Sequence, residues 1–384
     1  MRKCRHILVL ILAVISSAGT GFAARRAGTA AAAGGSGILS LNPESKVLPL
    51  LLSARNVSER YGGGPALQSV TFLHFSDLHG SVENLGRIVE FRNAWAPYID
   101  DAVHTGDAVV CYMDNPNPWK QVRGAENIIN LIGNHDCWKG HKTWAETAVP
   151  YDATKEDVYG IFIKPFVSRW NVVQPSGVGD KGSPDHCACY FHKDYPAAKL
   201  RFIALDSIHY DSAQDSWFAS VLDDAARKGY AVIAAQHYFS QTGLRSLDSG
   251  FSSGPGIPAC TNPDLPQIEC MREQAFITLD RFIDAGGVFV CWMSGHDHED
   301  YIGVIPGHER QLQILVDKAG EKDGYMHEDR TRGTVNQDSF NLLTVNRSKD
   351  LMTIQRIGCT RGPRMRAKTV FCYDYKLRKV IVNE

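Results

Sequence analysis

Five short polar clusters carry the residue types that chemistry needs: Asp77-Leu78-His79, Gly106-Asp107, Gly133-Asn134-His135-Asp136, His237 and Gly295-His296-Asp297-His298. Taken singly, each has an ordinary explanation as a turn or a hydrogen-bonded loop residue. Together they bring carboxylates and imidazoles to one place if each follows a strand of a common sheet, as the surrounding pattern predicts. Such groups repel or desolvate one another unless a cation neutralises them. A metal site is therefore the economical reading. Asp77, His79, Asp107, Asn134, His237, His296 and His298 supply seven donor side chains. One ion seldom takes so many mixed nitrogen and oxygen ligands, whereas two ions sharing a carboxylate divide them readily. Imidazole with carboxylate favours iron, manganese or zinc over calcium. Two such ions roughly 3.5–4 Å apart activate a water and clamp the oxygens of an in-line phosphoryl displacement.

These residues must be positioned by strands. Val70 to Phe75 is an apolar run that ends at Ser76-Asp77, consistent with a buried strand. Val82, Leu85, Ile88 and Val89 recur at helical spacing, with Ser81 as the expected N-cap. Ala102 to His104 and Ile128 to Ile132 read as further strands, each before a glycine-bearing turn. The alternation returns with strand Phe202 to Leu205, a helix through Trp217, Phe218, Val221, Leu222 and Ala225 that Gly229 ends, and strand Ala231 to Ala235. A helix through Phe276, Leu279, Phe282 and Ile283 stops at Gly286-Gly287, before strand Val288 to Met293. Strands alternating with helices predict an α/β sheet with helices outside and ligands at the carboxyl ends of the strands. The tail differs, because Asn341 to Val345, Leu351 to Ile357 and Val370 to Val382 read as successive strands with no helix between them. Cys137 to Lys199 and Tyr238 to Cys270 lack clear periodicity, and we expect them to cover the site and set substrate choice.

The set of five motifs, in this order, resembles the signature of the calcineurin-like metallophosphoesterases. The resemblance runs from about Val70 to Ile357. It implies a four-layer αββα sandwich, here with a C-terminal β extension, and two divalent or transition-metal ions (Fe, Mn or Zn). It also implies that Asp107 bridges the ions, with Asp77, His79 and His298 on one and Asn134, His237 and His296 on the other. His135 would be the catalytic histidine that meets the substrate without binding metal. The sequence departs from two branches at Val110, where purple acid phosphatases carry tyrosine and protein Ser/Thr phosphatases carry aspartate. That leaves Asp136 as the nearest catalytic partner for His135. The chain after His298 is too short for the substrate domain of the 5′-nucleotidase branch. The activity implied is hydrolysis of a phosphate mono- or diester by a metal-bound hydroxide. A catalytically silent metal- or ligand-binding protein and a secreted nuclease or nucleotide phosphodiesterase are the alternatives. Around the motifs, Lys139 and His141 read as solvated residues, Asp206 and Asp297 as structural ones, and Trp138 and Trp144 fit either a pocket wall or loop packing.

The remaining features bound the setting. A formal net charge of −1 argues against a nucleic-acid partner, so a small-molecule phosphate ester is the expected one. Arg2, Lys3 and Arg5 precede the apolar run Ile7 to Ile15, and Gly21-Phe22-Ala23 offers a cleavage site. This order reads as a signal peptide over residues 1–23, and the apolar run is too short for a membrane span of roughly 20 residues. Export (secreted or periplasmic) without a stable membrane anchor is the expectation, with residues 24–64 as an Ala/Gly-rich spacer and N-terminal segment and 65–384 as the phosphoesterase domain. Beyond the leader, an oxidising compartment makes Cys260 with Cys270 and Cys359 with Cys372 attractive disulfide pairs.

Overall fold

A computed structural model describes residues 68–96, 98–113, 116–140, 152–240, 243–247, 273–320, 337–359 and 370–383. The leader, the spacer, the Cys260–Cys270 pair, His141, Trp144 and most of the Tyr238 to Cys270 segment lie outside these residues. The fold is mixed α/β, built on two seven-stranded sheets. The strand pattern alone points to a single sheet for all five motifs, whereas the structure has two, as the family resemblance implies: three motifs follow strands of one sheet and two follow strands of the other.

In the first sheet β1 (Ser69–Phe75) has β2 (Asp101–His104) and β3 (Ile129–Asn130) parallel to it on one side. The second sheet contains β4 (Phe191–Tyr195), β5 (Leu200–Ala204), β6 (Ala231–Ala235), β7 (Arg245–Ser246), β8 (Val288–Ser294), β9 (Tyr301–Ile305) and β10 (His308–Leu315). Its order is β4-β5-β6-β8-β10-β9-β7, with β5, β6, β8 and β10 parallel. The tail completes the first sheet on the other side of β1 with β11 (Ser339–Asn346), β12 (Leu351–Gly358), β13 (Val370–Asp374) and β14 (Lys379–Asn383), all antiparallel. The last stretch, read as one strand from Val370 to Val382, is thus a hairpin. Turn residues Tyr375 to Arg378, the last with φ of 56°, break it.

Burial explains why the parallel strands read as unbroken apolar runs, since both faces are covered. Along β5 and β6, Phe202, Ala204, Ile233 and Ala235 point into the core shared with the first sheet. Ile203, Val232 and Ala234 point the other way, onto α2 (Ser212–Lys228) and α3 (Glu273–Asp284) through Phe218, Leu222, Phe276 and Leu279. Helix α1 (Val82–Ala94) is capped by Ser81, whose side chain accepts from Asn84 N at 3.4 Å, and its Phe91 ring meets Phe340 of β11. Helix α2 is capped by Asp211 and ends at left-handed Gly229, as its sequence requires. Between the sheets, Phe72 is fully buried and packs on Tyr195 and Phe202, with ring centroids 5.5 and 5.7 Å away. No helix among the described residues is long and apolar enough to cross a membrane.

The Cys359–Cys372 pair is also corrected, as the two cysteines are not bonded to each other. Cys372 lies opposite Thr353 in β12, whereas Cys359 lies six positions beyond Thr353 along that strand. At about 3.3 Å per residue the separation is roughly 20 Å, far more than the roughly 4.4–6.8 Å between Cα atoms that a disulfide spans.

Phe72 makes the contact between sheets measurable. Phe72→Ala should lose about 3–5 kcal/mol of stability in denaturant titration. A loss under about 1 kcal/mol would show that the sheets do not depend on this ring.

Candidate metal centre

The motif loops occupy the carboxyl ends of β1, β2, β3, β6 and β8 and are stitched to one another by backbone hydrogen bonds. Asp77 N donates to Gly106 O at 3.0 Å and His79 N to Asp107 O at 3.0 Å, joining the first two loops. Gly295 N to His237 O at 3.0 Å joins the two motif loops of the second sheet, and that sheet is tied to the first by Ala319 N to Ser76 O at 2.7 Å and Gly320 N to Asp77 O at 3.1 Å. Asp77, His79, Asp107, His296 and His298 all adopt left-handed φ, between 47° and 77°. For residues with a Cβ this costs on the order of 1 kcal/mol or more each, and such strain collects at functional sites. Two glycines let the loops approach. A Cβ on Gly133 would collide with the Asp107 carboxylate, and one on Gly295 would meet Ser76 Oγ and lie 2.6 Å from Asp77 Oδ2.

The side chains then converge. His79 Nε2 and His298 Nε2 lie 3.0 Å apart, and His298 Nε2 is 3.4 Å from Asp77 Oδ1. His237 Nε2 is 3.4 Å from Asp107 Oδ2, while Asn134 Oδ1 lies 3.0 Å from His237 Nε2 and 3.1 Å from His296 Nδ1. Asp107 Oδ2 is 3.9 Å from His79 Nε2 and 3.9 Å from His135 Nε2, so it faces both groups. Within each of the trios Asp77–His79–His298, Asp107–His237–His296 and His79–Asp107–His135, the donor atoms lie within 4.8 Å of one another. All seven expected ligands are thus brought together.

Three observations test whether these residues fit metal. Asp77 and Asp107 are buried and each uses one oxygen, accepting from His296 N at 3.0 Å and from His135 N at 2.9 Å. The other oxygens, Asp77 Oδ1 and Asp107 Oδ2, have no hydrogen-bond partner although they face imidazoles. Ligands about 2.0–2.1 Å from one ion stand about 3.0–3.4 Å apart around it, which is the spacing of the close pairs here. His237 Nδ1 lies 2.8 Å from Thr105 O, a bond that turns Nε2 toward the carboxylate. The donor set fits divalent cations. Without them the cluster charges itself. Burial lowers the His237 pKa, but Asp107 overrides it and raises the imidazole to about 9. Burial alone dominates at His296, pushing it to about 3. Burial works against the Asp77 carboxylate too, yet His298 and His79 hold it well below the usual range.

His135 is partnered differently from expectation. Its Nδ1 lies 3.1 Å from Val110 O, and Asp136 does not reach it. The Asp136 carboxylate instead accepts from Asp107 N and Gly133 N at 3.0 Å each and from Val109 N at 3.2 Å. It locks the second and third loops together with both oxygens, turned away from His135. The Val110 carbonyl was invisible to side-chain reasoning, as were the left-handed conformations. Trp138 is buried with its ring 4.3 Å from that of His135. Lys139 is turned toward Asp157, at 3.6 Å. Asp206 accepts from the backbone N–H groups of Ile208 and His209 at 3.0 Å each and stays structural.

Residues 70–300 match the calcineurin-like phosphoesterase family, and the chain belongs to it. Among solved structures, a dimetal phosphatase from Danio rerio is similar at 12% identity and TM-score 0.45, over 75% of this chain and 96% of that one. GAP50, the anchor in the inner membrane complex of Plasmodium, is similar at 13% identity and TM-score 0.39, over 82% and 88%. A metallophosphoesterase from Sphaerobacter thermophilus follows at 11% identity and TM-score 0.29, over 77% and 89%. Comparison with curated proteins finds no match.

The close approach at Gly295 gives a direct check. Gly295→Ala should displace Asp77 and lower bound metal by elemental analysis, with a stability loss of about 1–3 kcal/mol from overpacking. Full metal content and unchanged stability would show that the two loops do not depend on this contact.

Proposed function

We propose that the protein is an exported, dinuclear-metal phosphoesterase that hydrolyses a phosphate mono- or diester. The observation that carries this reading is the pair of buried carboxylates whose unpartnered oxygens face imidazoles from both sheets. Asp77, His79 and His298 would hold one ion, Asn134, His237 and His296 the other, and Asp107 would lie between them. Cations held there supply Lewis acidity toward the phosphoryl oxygens and a nucleophilic water at neutral pH. The chain itself orients these groups. Thr105 O fixes the ring of His237, and Asp107 Oδ1 is held by His135 N, which leaves Oδ2 turned to the cluster. Export rests on the order of basic, apolar and small residues in 1–23. Protein recovered outside the cytoplasm should begin near Ala24, and a retained Met1 there would end that part of the reading.

His135 is the residue where catalysis separates from metal binding. With Nδ1 held against Val110 O, its Nε2 faces the cluster near Asp107 Oδ2. Burial pushes His135 down to about 4, and a phosphate oxygen beside Nε2 acts in the opposite direction. As an imidazolium it can protonate a departing alkoxide. Help of this kind is typically worth about 10²–10⁴-fold. Asp107→Asn should remove metal and activity together. His135→Asn should keep near-normal metal, lose most activity on alkyl phosphates and lose clearly less on nitrophenyl phosphates, whose leaving group needs little help. Equal losses on both esters would reject the acid role, loss of metal would make His135 a ligand, and a metal-free active enzyme would reject the whole proposal.

A further inference from the structure

A second set of ligand types lies outside the motif loops. Glu156 belongs to a single helical turn (Lys155–Val158) whose capping box pairs Thr154 with Asp157. Across from it, the loop after Gln174 presents His186 and Cys187. One carboxylate oxygen, one imidazole nitrogen and the Cys187 sulfur lie within 4.8 Å of one another. His186 Nε2 is 2.7 Å from Glu156 Oε1, and its Nδ1 is 2.9 Å from Ser183 O. That second contact matters, because metal-bound histidines hold their other ring nitrogen on a carbonyl or carboxylate, which fixes the tautomer and aims the lone pair. Cys187 is half-buried and its thiol is free. Burial, with Glu156 adding to it, pushes the thiol pKa up, so the sulfur ionises readily only when a cation arrives.

We infer that Glu156, His186 and Cys187 form a separate zinc-class site that clamps the loop bearing His186 to the helical turn bearing Glu156. The donor set of thiolate, imidazole and carboxylate suits zinc. It differs in kind from the motif cluster, which contains no sulfur, and it does not depend on the proposed reaction. Binding replaces the hydrogen bond between His186 Nε2 and Glu156 Oε1, and the proton shared in that bond and the proton of the Cys187 thiol are both released to solvent. Lys155 does not compete for Glu156, since its ammonium sits 2.5 Å from Asp211. Three protein donors leave one tetrahedral position to water.

The sulfur makes the site separable by spectroscopy. Full-length protein, kept reduced and titrated with cobalt(II), should develop a near-ultraviolet thiolate-to-cobalt band, and zinc should bleach it. Cys187→Ser should abolish the band and lower zinc by about one equivalent per chain, because one of three ligands is gone. His186→Ala should weaken binding at least tenfold. Asp107→Asn should leave the band intact, so failure of the motif cluster cannot be mistaken for failure here. Absence of the band in the wild type, or its persistence in Cys187→Ser, would overturn the assignment.

Discussion

The structure depends on two carboxylates that a folded protein should not tolerate. Asp77 and Asp107 are buried, and each ends in an oxygen without a hydrogen-bond partner, pressed toward imidazoles. Burying an unpaired carboxylate costs far more than any one hydrogen bond returns, and breaking such a pair typically costs about 3–5 kcal/mol. Imidazolium formation at His237 answers part of that cost. It cannot answer all of it, because burial keeps His296 neutral beside the same carboxylate group. Cations of the kind this family uses would answer it with one species for both oxygens, which is why site and fold are one problem here.

The sheets serve that arrangement. Each motif stands at a carboxyl end, so the strands aim five loops at a common edge, and the two sheets bring opposite halves of the donor set. Rotation between them is blocked by backbone bonds such as Ala319 N to Ser76 O and by Phe72 seated between Tyr195 and Phe202. The loops are then forced into left-handed φ at five motif residues. A relaxed loop would carry the side chain elsewhere. The strain is held by bonds like His79 N to Asp107 O, so neighbouring loops constrain each other and no loop is set alone.

Much of this was legible because burial on both faces leaves a plain mark. The runs Val70 to Phe75, Ala231 to Ala235 and Val288 to Met293 are nearly the observed strands, and Ser81 and Gly229 bound their helices where capping chemistry says. The convergence of the seven side chains was legible from residue type and order. Their division between two sheets came only from the motif resemblance, since the alternation of strand and helix is the same whether one sheet or two is built. Strands β9 and β10 were missed because Gly303, Glu309, Arg310 and Gln311 interrupt their apolar pattern. Cysteine spacing misled at Cys359 and Cys372, where strand register decides the distance and sequence proximity does not.

His135 shows what side-chain reasoning could not supply. An acidic neighbour in sequence suggested Asp136 as its orienting partner, but successive residues around a tight turn point in different directions. Asp136 faces inward and spends its lone pairs on three backbone N–H groups, an economical way to hold two loops. His135 is left with the carbonyl of Val110. A carbonyl fixes the tautomer as well as a carboxylate does, placing the proton on Nδ1 and the lone pair on Nε2. It carries no full charge, however, so it stabilises the imidazolium far less than a carboxylate would. Asp107 Oδ2, 3.9 Å from Nε2, supplies part of the negative charge that keeps a proton there, and under the proposed mechanism a bound phosphate would supply the rest, so that His135 would act as an acid when there is a leaving group to receive the proton.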